Sequence, residues 1–378
     1  MKLLKSILVA VDFTESSENI LENSINFAKT FKSKITLIHI LPDDINNEKV
    51  SLLVEKAVTT KLKEANDRIA NEGLETGSPI LEYGNYCDKI VSASEKIIAN
   101  LVIVGSGNKS SDEAFQLGST AEKIVKKSNK PVFVIKNGRA LNIKNIICPV
   151  DFSRESSRAL NSAIIISRMV DAKLVILSVY SHFKHSFAKL DATPINELRH
   201  LEHEKEFRSF LEGFNLIDLN FEKEIVGGEP SEEILKYIKK NKSDLLIMGA
   251  TGRSGISKIL MGSVTEKVIR EVPCSFITLK NEDVVALEIE SKIQDIENHY
   301  MLAQKLFENG FFEESIQQYK ICLNINFMHI PSLRGIAEVY EKIGDIDNSK
   351  KHKEMAERVL ERMENMKIEK EVREQRKH

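Results

Sequence analysis

The chain has 378 residues, 42% apolar and 29% charged, with a formal net charge of −2. That composition suits about two or three folded domains rather than a disordered chain. It gives no global drive towards nucleic acid or a membrane surface, and no apolar run reaches the roughly 18 residues that span a bilayer.

The N-terminal stretch MKLLKSILVAVDFTESS is basic and then apolar. Asp12 interrupts it and no small-residue cleavage site follows, so it reads as a first strand rather than a leader. Further on come ANLVIVGSG (Ala99 to Gly107) and LGSTAEKIVKKSNKPVFVIK (Leu117 to Lys136). The same order then returns. KNIICPVDFSRESSRAL (Lys144 to Leu160) parallels KSILVAVDFTESSENIL (Lys5 to Leu21). SDLLIMGAT (Ser243 to Thr251) and MGSVTEKVIREVPCSFITLK (Met261 to Lys280) parallel the later pieces. The chain therefore holds a duplication, over residues 1–138 and 141–281.

In the second copy, Ile146 to Val150 predicts a strand, Ser156 to Val170 a helix, and Lys173 to Val179 a strand. Asn196 to Gly213 reads as a polar helix, Phe221 to Val226 as a strand, and Ser231 to Asn241 as a helix opened by Pro230 and Ser231. Leu245 to Met248 is a buried strand, Ser263 to Glu271 a helix, and Cys274 to Leu279 a last strand. Near-continuous apolar strands between amphipathic helices imply parallel sheets covered on both faces. Two doubly wound α/β domains are expected.

Residues 284–378 read as helices only, an all-α helical-hairpin domain. Gly310 and Gly344 are 34 residues apart. Ala303 matches Ala337, Phe312 matches Ile346, Ser315 matches Ser349, and Cys322 matches Ala356. Small residues at a helix crossing and a glycine turn are what a packed helical hairpin requires, and the period resembles that of tetratricopeptide repeats. His299 and Leu333 stand where that family has an aromatic residue. A plain hairpin shielding the second α/β domain is the alternative, since three repeats are normally wanted for stability.

The cysteines Cys87, Cys148, Cys274 and Cys322 are far apart with no metal-ligand spacing. Cys148 and Cys274 lie in apolar runs that suit buried, inert thiols, and a reducing cytoplasm is expected. His182, His185, His200 and His203 lack a convincing ligand set, and solvated helix positions are the simpler reading for the last two.

The stretch GATGRSGISKILMGS holds Gly249-x-x-Gly252, nine residues, then Gly262-Ser263. It is neither a Walker loop nor a dinucleotide loop. It does hold the parts of an anion site. Gly249 and Gly252 follow a strand and let backbone N–H groups approach phosphate oxygens. Gly262-Ser263 opens a helix whose free N–H groups and dipole favour phosphate. Ser263 could be its N-cap, and Arg253 and Lys258 add positive charge. Asp151 ends the first strand of its copy. If first and fourth strands are neighbours, Asp151 and Gly249 face one crevice at the carboxyl ends, where open α/β sheets bind ligands. A carboxylate there suits the ribose or adenine of a nucleotide. Equally, Asp151 could cap the next helix and the glycines could merely turn the chain.

This spacing, with PVDFS after the first strand, GRSG inside the loop and VTEKVIREVPC after it, resembles the ATP-binding signature of the universal stress protein family, over about three quarters of the chain. The resemblance implies five-stranded parallel sheets in order 3-2-1-4-5. It implies ATP, with or without Mg²⁺, at Pro149, Val150, Asp151, Val179, Gly249, Gly252, Arg253, Gly262, Ser263, Val264 and Thr265, with Val179 in the adenine pocket. It also implies pairing through the last strand, here within one chain through PVFVIK and CSFITLK; a homodimer of whole chains stays open. The first copy keeps Asp12, Gly105, Gly118 and Ser119 but has Asn108 for the second glycine. Its loop sets Lys109 against Asp112 and Glu113, and an acidic pair repels a polyphosphate. Weak or absent ATP binding is expected there.

Three functions follow. The first is an ATP-binding regulatory protein whose helical tail contacts protein partners. The second is a slow ATP hydrolase, although no dedicated carboxylate is visible beyond Asp151 and hydrolysis needs a positioned water and usually a metal. The third is a nucleotide-independent scaffold. No catalytic residue is assigned.

Overall fold

The computed structural model describes residues 4–43, 47–107, 117–138, 140–182, 193–216, 219–251, 261–280, 284–326 and 328–375. The chain divides into two compact units, Met1–Glu288 and Ile289–His378. The first copy runs β1 (Ser6–Ala10), α1 (Glu15–Phe31), β2 (Lys34–Leu41), α2 (Glu48–Asn71), β3 (Ile80–Tyr83), α3 (Tyr86–Lys96), β4 (Leu101–Gly105), α4 (Ser119–Lys127) and β5 (Val132–Ile135). The second runs β6 (Asn145–Val150), α5 (Arg154–Val170), β7 (Lys173–Tyr180), α6 (Thr193–Leu211), β8 (Phe221–Gly227), α7 (Pro230–Asn241), β9 (Leu245–Gly249), α8 (Ser263–Glu271) and β10 (Ser275–Leu279).

Within each copy the strands are parallel in the order 3-2-1-4-5. The two sheets then join. β5 and β10 pair antiparallel, with Phe276 opposite Val134 and Ile277 opposite Phe133, to make one ten-stranded sheet. Alternation across the strands explains the unbroken apolar runs. Ile7, Val9, Ile146, Cys148, Leu245 and Ile247 face one core with α1, α2, α5 and α6. Leu8, Ile147, Leu246 and Met248 face the other with α3, α4, α7 and α8. Successive side chains in a strand point to opposite faces, so a sheet covered twice needs apolar residues at every position.

Helix α5 starts two residues earlier than its apolar period suggests. Ser153 is the N-cap, its Oγ accepting from the Ser156 amide at 3.1 Å, and the polar first turn carries no apolar signal.

The second unit begins within α9 (Val284–Glu308) and continues with α10 (Phe312–Ile325), α11 (Ile330–Lys342) and α12 (Ile346–Gln375). Gly310 and Gly344 both turn the chain at positive φ, +82° and +84°. The matched small residues Ala303 and Ala337, Ser315 and Ser349, and Cys322 and Ala356 are all buried. The Ser315 hydroxyl donates to the Ala303 carbonyl at 2.8 Å. Gly335 lets α11 approach the Tyr319 ring, where a Cβ would lie 2.4 Å away. The match breaks at Phe312, half-buried, against Ile346, which is exposed.

Candidate functional site

In each copy the strand order reverses between the first and fourth strands, and these neighbours part company near their carboxyl ends. β6 pairs with β9 at Ile146 and Ile147 only, while its pairing with β7 continues to Val150. Pro149 has no amide hydrogen to extend a ladder on either side. The crevice this opens is where an open α/β sheet holds a ligand, and Asp151 and Gly249 follow and close the two strands that flank it.

The turn after each first strand is built alike. Phe13 and Phe152 adopt φ of +56° and +64°, a left-handed conformation that is costly for a bulky residue. The reversal lets the preceding carboxylate reach forward. Asp12 Oδ1 accepts from the amide and hydroxyl of Thr14 at 3.0 and 2.6 Å. Asp151 Oδ1 accepts from the amide of Ser153 at 3.1 Å and from its hydroxyl. Asp151 therefore orients the residue that caps α5 rather than capping the helix itself. Ring packing offsets the strain. Phe152 lies 4.9 Å from His203 and 5.2 Å from Phe210, and Phe13 stacks on His39 at 5.3 Å. His39 Nδ1 lies 2.8 Å from the Val11 carbonyl. At the matching place in β7, Ser178 Oγ bonds the Val150 carbonyl at 3.1 Å and His203 Nε2 at 2.8 Å. Phe13, Phe152 and His39 were not singled out from the sequence, and His203, expected as a solvated helix position, instead packs on Phe152 and bonds Ser178. The visible signal was a bulky residue after the aspartate in both VDFT and VDFS.

The glycine loops share a base. Gly118 N donates to the Ser106 carbonyl at 2.8 Å, and Gly262 N to that of Ala250 at 2.9 Å. Gly262, rather than Ser263, is the N-cap of α8, extended at φ −64° and ψ 143° with no side-chain cap. Ser263 is the first helical residue and is exposed. Since glycine takes the capping position, no hydroxyl competes for the first amides, which have no acceptor within the helix. Thr265 is buried, and its hydroxyl donates to the Gly249 carbonyl at 2.9 Å, tying the helix to the strand end. Val150 is buried, Val179 and Val264 are half-buried against the second core, and Pro149 is half-buried. Gly252 and Arg253 lie outside the described residues, as do Lys258, His185 and the first-copy residues Asn108, Lys109, Asp112 and Glu113.

In the first copy the corresponding positions surround a cavity of about 480 Å³. Val11, Asp12, Ile40, Gly105, Gly118 and Ser119 line it, the counterparts of Val150, Asp151, Val179, Gly249, Gly262 and Ser263. His39 and Tyr86 add aromatic wall. Its size and mixed lining suit a small organic ligand.

Helices α4 and α8 cross-link the copies. Glu122 bonds Lys126 at 2.9 Å and Arg270 at 2.8 Å, and Glu266 bonds the same two cations at 2.8 Å each. Lys126, with Arg270, holds the Glu122 carboxyl below its ordinary pKa, and both cations are held above theirs by the two glutamates. Glu122 and Glu266 are in the first turns of the two loop helices. Their pairing neutralises carboxylates that would otherwise oppose an anion at those helix starts.

All four cysteines are free and buried. Burial pushes the Cys148 thiol up, and the Cys274 thiol up to about 12, so neither is a ready nucleophile. His200 and His203 pack at 5.5 and 5.6 Å from the Tyr180 ring. Among the described residues no three His, Cys, Asp or Glu side chains are grouped to hold a metal, and no helix is long and apolar enough to cross a membrane.

Comparison with known proteins agrees with the duplication. The model of the universal stress protein family matches residues 4–136 and again 142–280. The chain belongs to that family, with two tandem copies. It is 32% identical over 151 residues to a universal stress protein of Methanocaldococcus jannaschii, covering 39% of this chain and 87% of the relative. Two crystal structures share the tandem fold. A universal stress protein from Archaeoglobus fulgidus aligns with a TM-score of 0.54 at 22% identity, covering 73% of this chain and 98% of its own. A functionally unknown protein from Pseudomonas aeruginosa aligns with a TM-score of 0.57 at 18% identity, covering 76% and 98%.

Proposed function

We propose that this universal stress protein is an ATP-responsive regulatory module, in which the second copy holds ATP and the helical tail, read as two tetratricopeptide-like repeats, contacts protein partners. The observation that carries the nucleotide reading is the carboxyl end of the second copy. There Asp151, the end of β9 and the side-chain-free N-terminus of α8 flank one crevice. Asp151 and Val179 would meet the nucleoside. The loop glycines, Arg253 and the α8 amides would meet the phosphates. Asp151 already accepts two bonds from Ser153, so a Mg²⁺ arriving with ATP would be held by phosphate oxygens and water. A ligand shifts a conformational equilibrium only through different affinity for two states, so the regulatory role requires an ATP-bound form that a partner prefers. The equivalent glycine turns and buried small residues of α9 to α12 support the repeat reading, and four buried free thiols fit a cytoplasmic setting.

The experiment is calorimetric titration of the full chain with ATP, together with mass spectrometry of small molecules released on denaturation. Saturable binding that disappears in Gly262→Val supports the reading. Equal affinity in that variant refutes the site. Absence of both released nucleotide and an ATP-induced thermal shift would favour the scaffold instead.

The first-copy cavity favours a second reading for that copy. Its nucleoside end is open, while its loop is acidic in sequence. It would accept a nucleoside far better than a triphosphate, and titration with adenosine against ATP in the Gly262→Val background separates the two.

A further inference from the structure

A second cavity, of about 560 Å³, lies on the seam between the copies where β5 ends and β9 and β10 begin. One wall is the connector that follows β5, including Leu141 and Asn142. Another is the end of α7 with its left-handed C-cap Lys242. The third is the start of β10. The connector wall exists because the two copies are one chain. The cavity is at the amino ends of the second-copy strands, at the opposite end of that sheet from Gly249 and Gly262.

Three lysines line it, Lys136, Lys239 and Lys242, against one acidic residue, Asp244. That carboxylate has a structural task, since its Oδ2 accepts the amides of Lys144 and Asn145 at 3.0 and 2.8 Å. Lys136 is held in position from both ends. Its amide donates to Ser275 Oγ at 3.0 Å and its Nζ to the Pro273 carbonyl at 2.8 Å. Lys239 and Lys242 form no ion pair among the described residues, whereas nearby Lys236 pairs with Glu233 at 3.2 Å. The carbonyl end of α7 favours a cation, which accounts for lysines on that helix. It does not account for a third cation brought to the same concavity by the other copy. Like charges facing one cavity repel, and an anion between them relieves that repulsion.

We propose that the seam cavity binds a small phosphate-bearing anion, gripped by Lys136 from the connector and by Lys239 and Lys242 from α7. The volume fits a small organic ligand, and Leu141, Ile238 and Pro273 offer apolar contact to its body. Because the walls come from both copies, the bound anion stabilises their junction, by mass action.

The test titrates the full chain with inorganic pyrophosphate. Saturable binding is expected in the wild type and in Gly262→Val. It weakens about tenfold or more in the double variant Lys239→Glu/Lys242→Glu and declines as salt is raised. Both lysines are exposed, so the double variant keeps its fold, which its melting curve checks, and it keeps its response to ATP. No saturable binding, or equal affinity in the double variant, overturns the proposal. So does loss of pyrophosphate binding in Gly262→Val alone, which would put the anion on the glycine loop.

Discussion

Gly118 and Gly262 occupy equivalent points of the two copies, with nearly identical backbone angles, −63° and 145° against −64° and 143°. Ten residues upstream, Asn108 stands in the first copy where Gly252 stands in the second. The structure shows how closely the chain packs at three of the signature glycines that both copies keep. A Cβ on Gly105 would lie 2.3 Å from Ile20 Cδ1. One on Gly249 would lie 3.2 Å from the Glu155 backbone, and one on Gly118 would meet the Ser106 carbonyl at 3.0 Å. Close approach of helix, strand and loop favours glycine at these three places, whatever the ligand. Retained glycines therefore report the fold. Under the proposed function, the loop charge and the Asn108/Gly252 difference would separate the ligand preferences of the two copies.

The largest effect that could break this comparison is at the phosphate end. Gly262→Val should weaken ATP binding about a hundredfold, roughly 2.7 kcal/mol, while Gly118→Val should leave it unchanged. The wild-type titration should end at one ATP per chain. Two equivalent sites, or a loss of affinity from the Gly118 variant equal to that from Gly262, would erase the distinction. A smaller effect should follow from converting the first loop. Asn108→Gly with Asp112→Asn and Glu113→Gln removes two negative charges and a side chain. It should raise first-copy ATP affinity about tenfold, read in the Gly262→Val background. No gain would mean that the loop does not set the preference.

Comparable in size is the packing argument. Gly105→Ala and Gly249→Ala should each lower stability by about 1–3 kcal/mol, measured by denaturant unfolding, although only the second belongs to the proposed ATP site. An unchanged midpoint for Gly105→Ala would show that its retention has another cause.

Much of this architecture was legible in the residues. Asp12 and Asp151, the paired apolar strands and the two glycine loops announced two copies of one α/β fold, and PVFVIK and CSFITLK are the segments that pair. What escaped were features set by backbone geometry and by contacts distant in sequence. Nothing in a residue string makes Phe152 left-handed, because the conformation follows from the turn that carries Asp151 to Ser153. Ser263 looked like a cap because serine prefers that position. The extended backbone falls one residue earlier, on glycine, and the serine passes into the helix. The bond from the Thr265 hydroxyl to the Gly249 carbonyl, which ties α8 to the end of β9, has no signal in the residues either. Lys136 and Lys239 are about a hundred residues apart, and only the joining of β5 to β10 sets them around one cavity.

The smallest expected effect concerns what the copies share. Glu122 and Glu266, and Lys126 and Arg270, are equivalent pairs, so the network between α4 and α8 is the duplication's own symmetry expressed as charge. Exposed ion pairs contribute about 1 kcal/mol or less each, and Glu122→Gln should cost about that much at neutral pH. The sign of its pH dependence follows from the direction of the shift. The folded-state pKa of Glu122 is held below its ordinary 4.5 by Lys126 and then by Arg270. The bound proton therefore disfavours the folded form, and the contribution is complete above about 4.5 and fades as pH falls through the lower folded value. The difference in melting temperature between wild type and Glu122→Gln should be largest near neutrality and shrink towards pH 3. Raising salt should shrink it too. A difference that stayed constant across that range would mean that Glu122 stabilises the seam by packing its methylenes rather than by its charge.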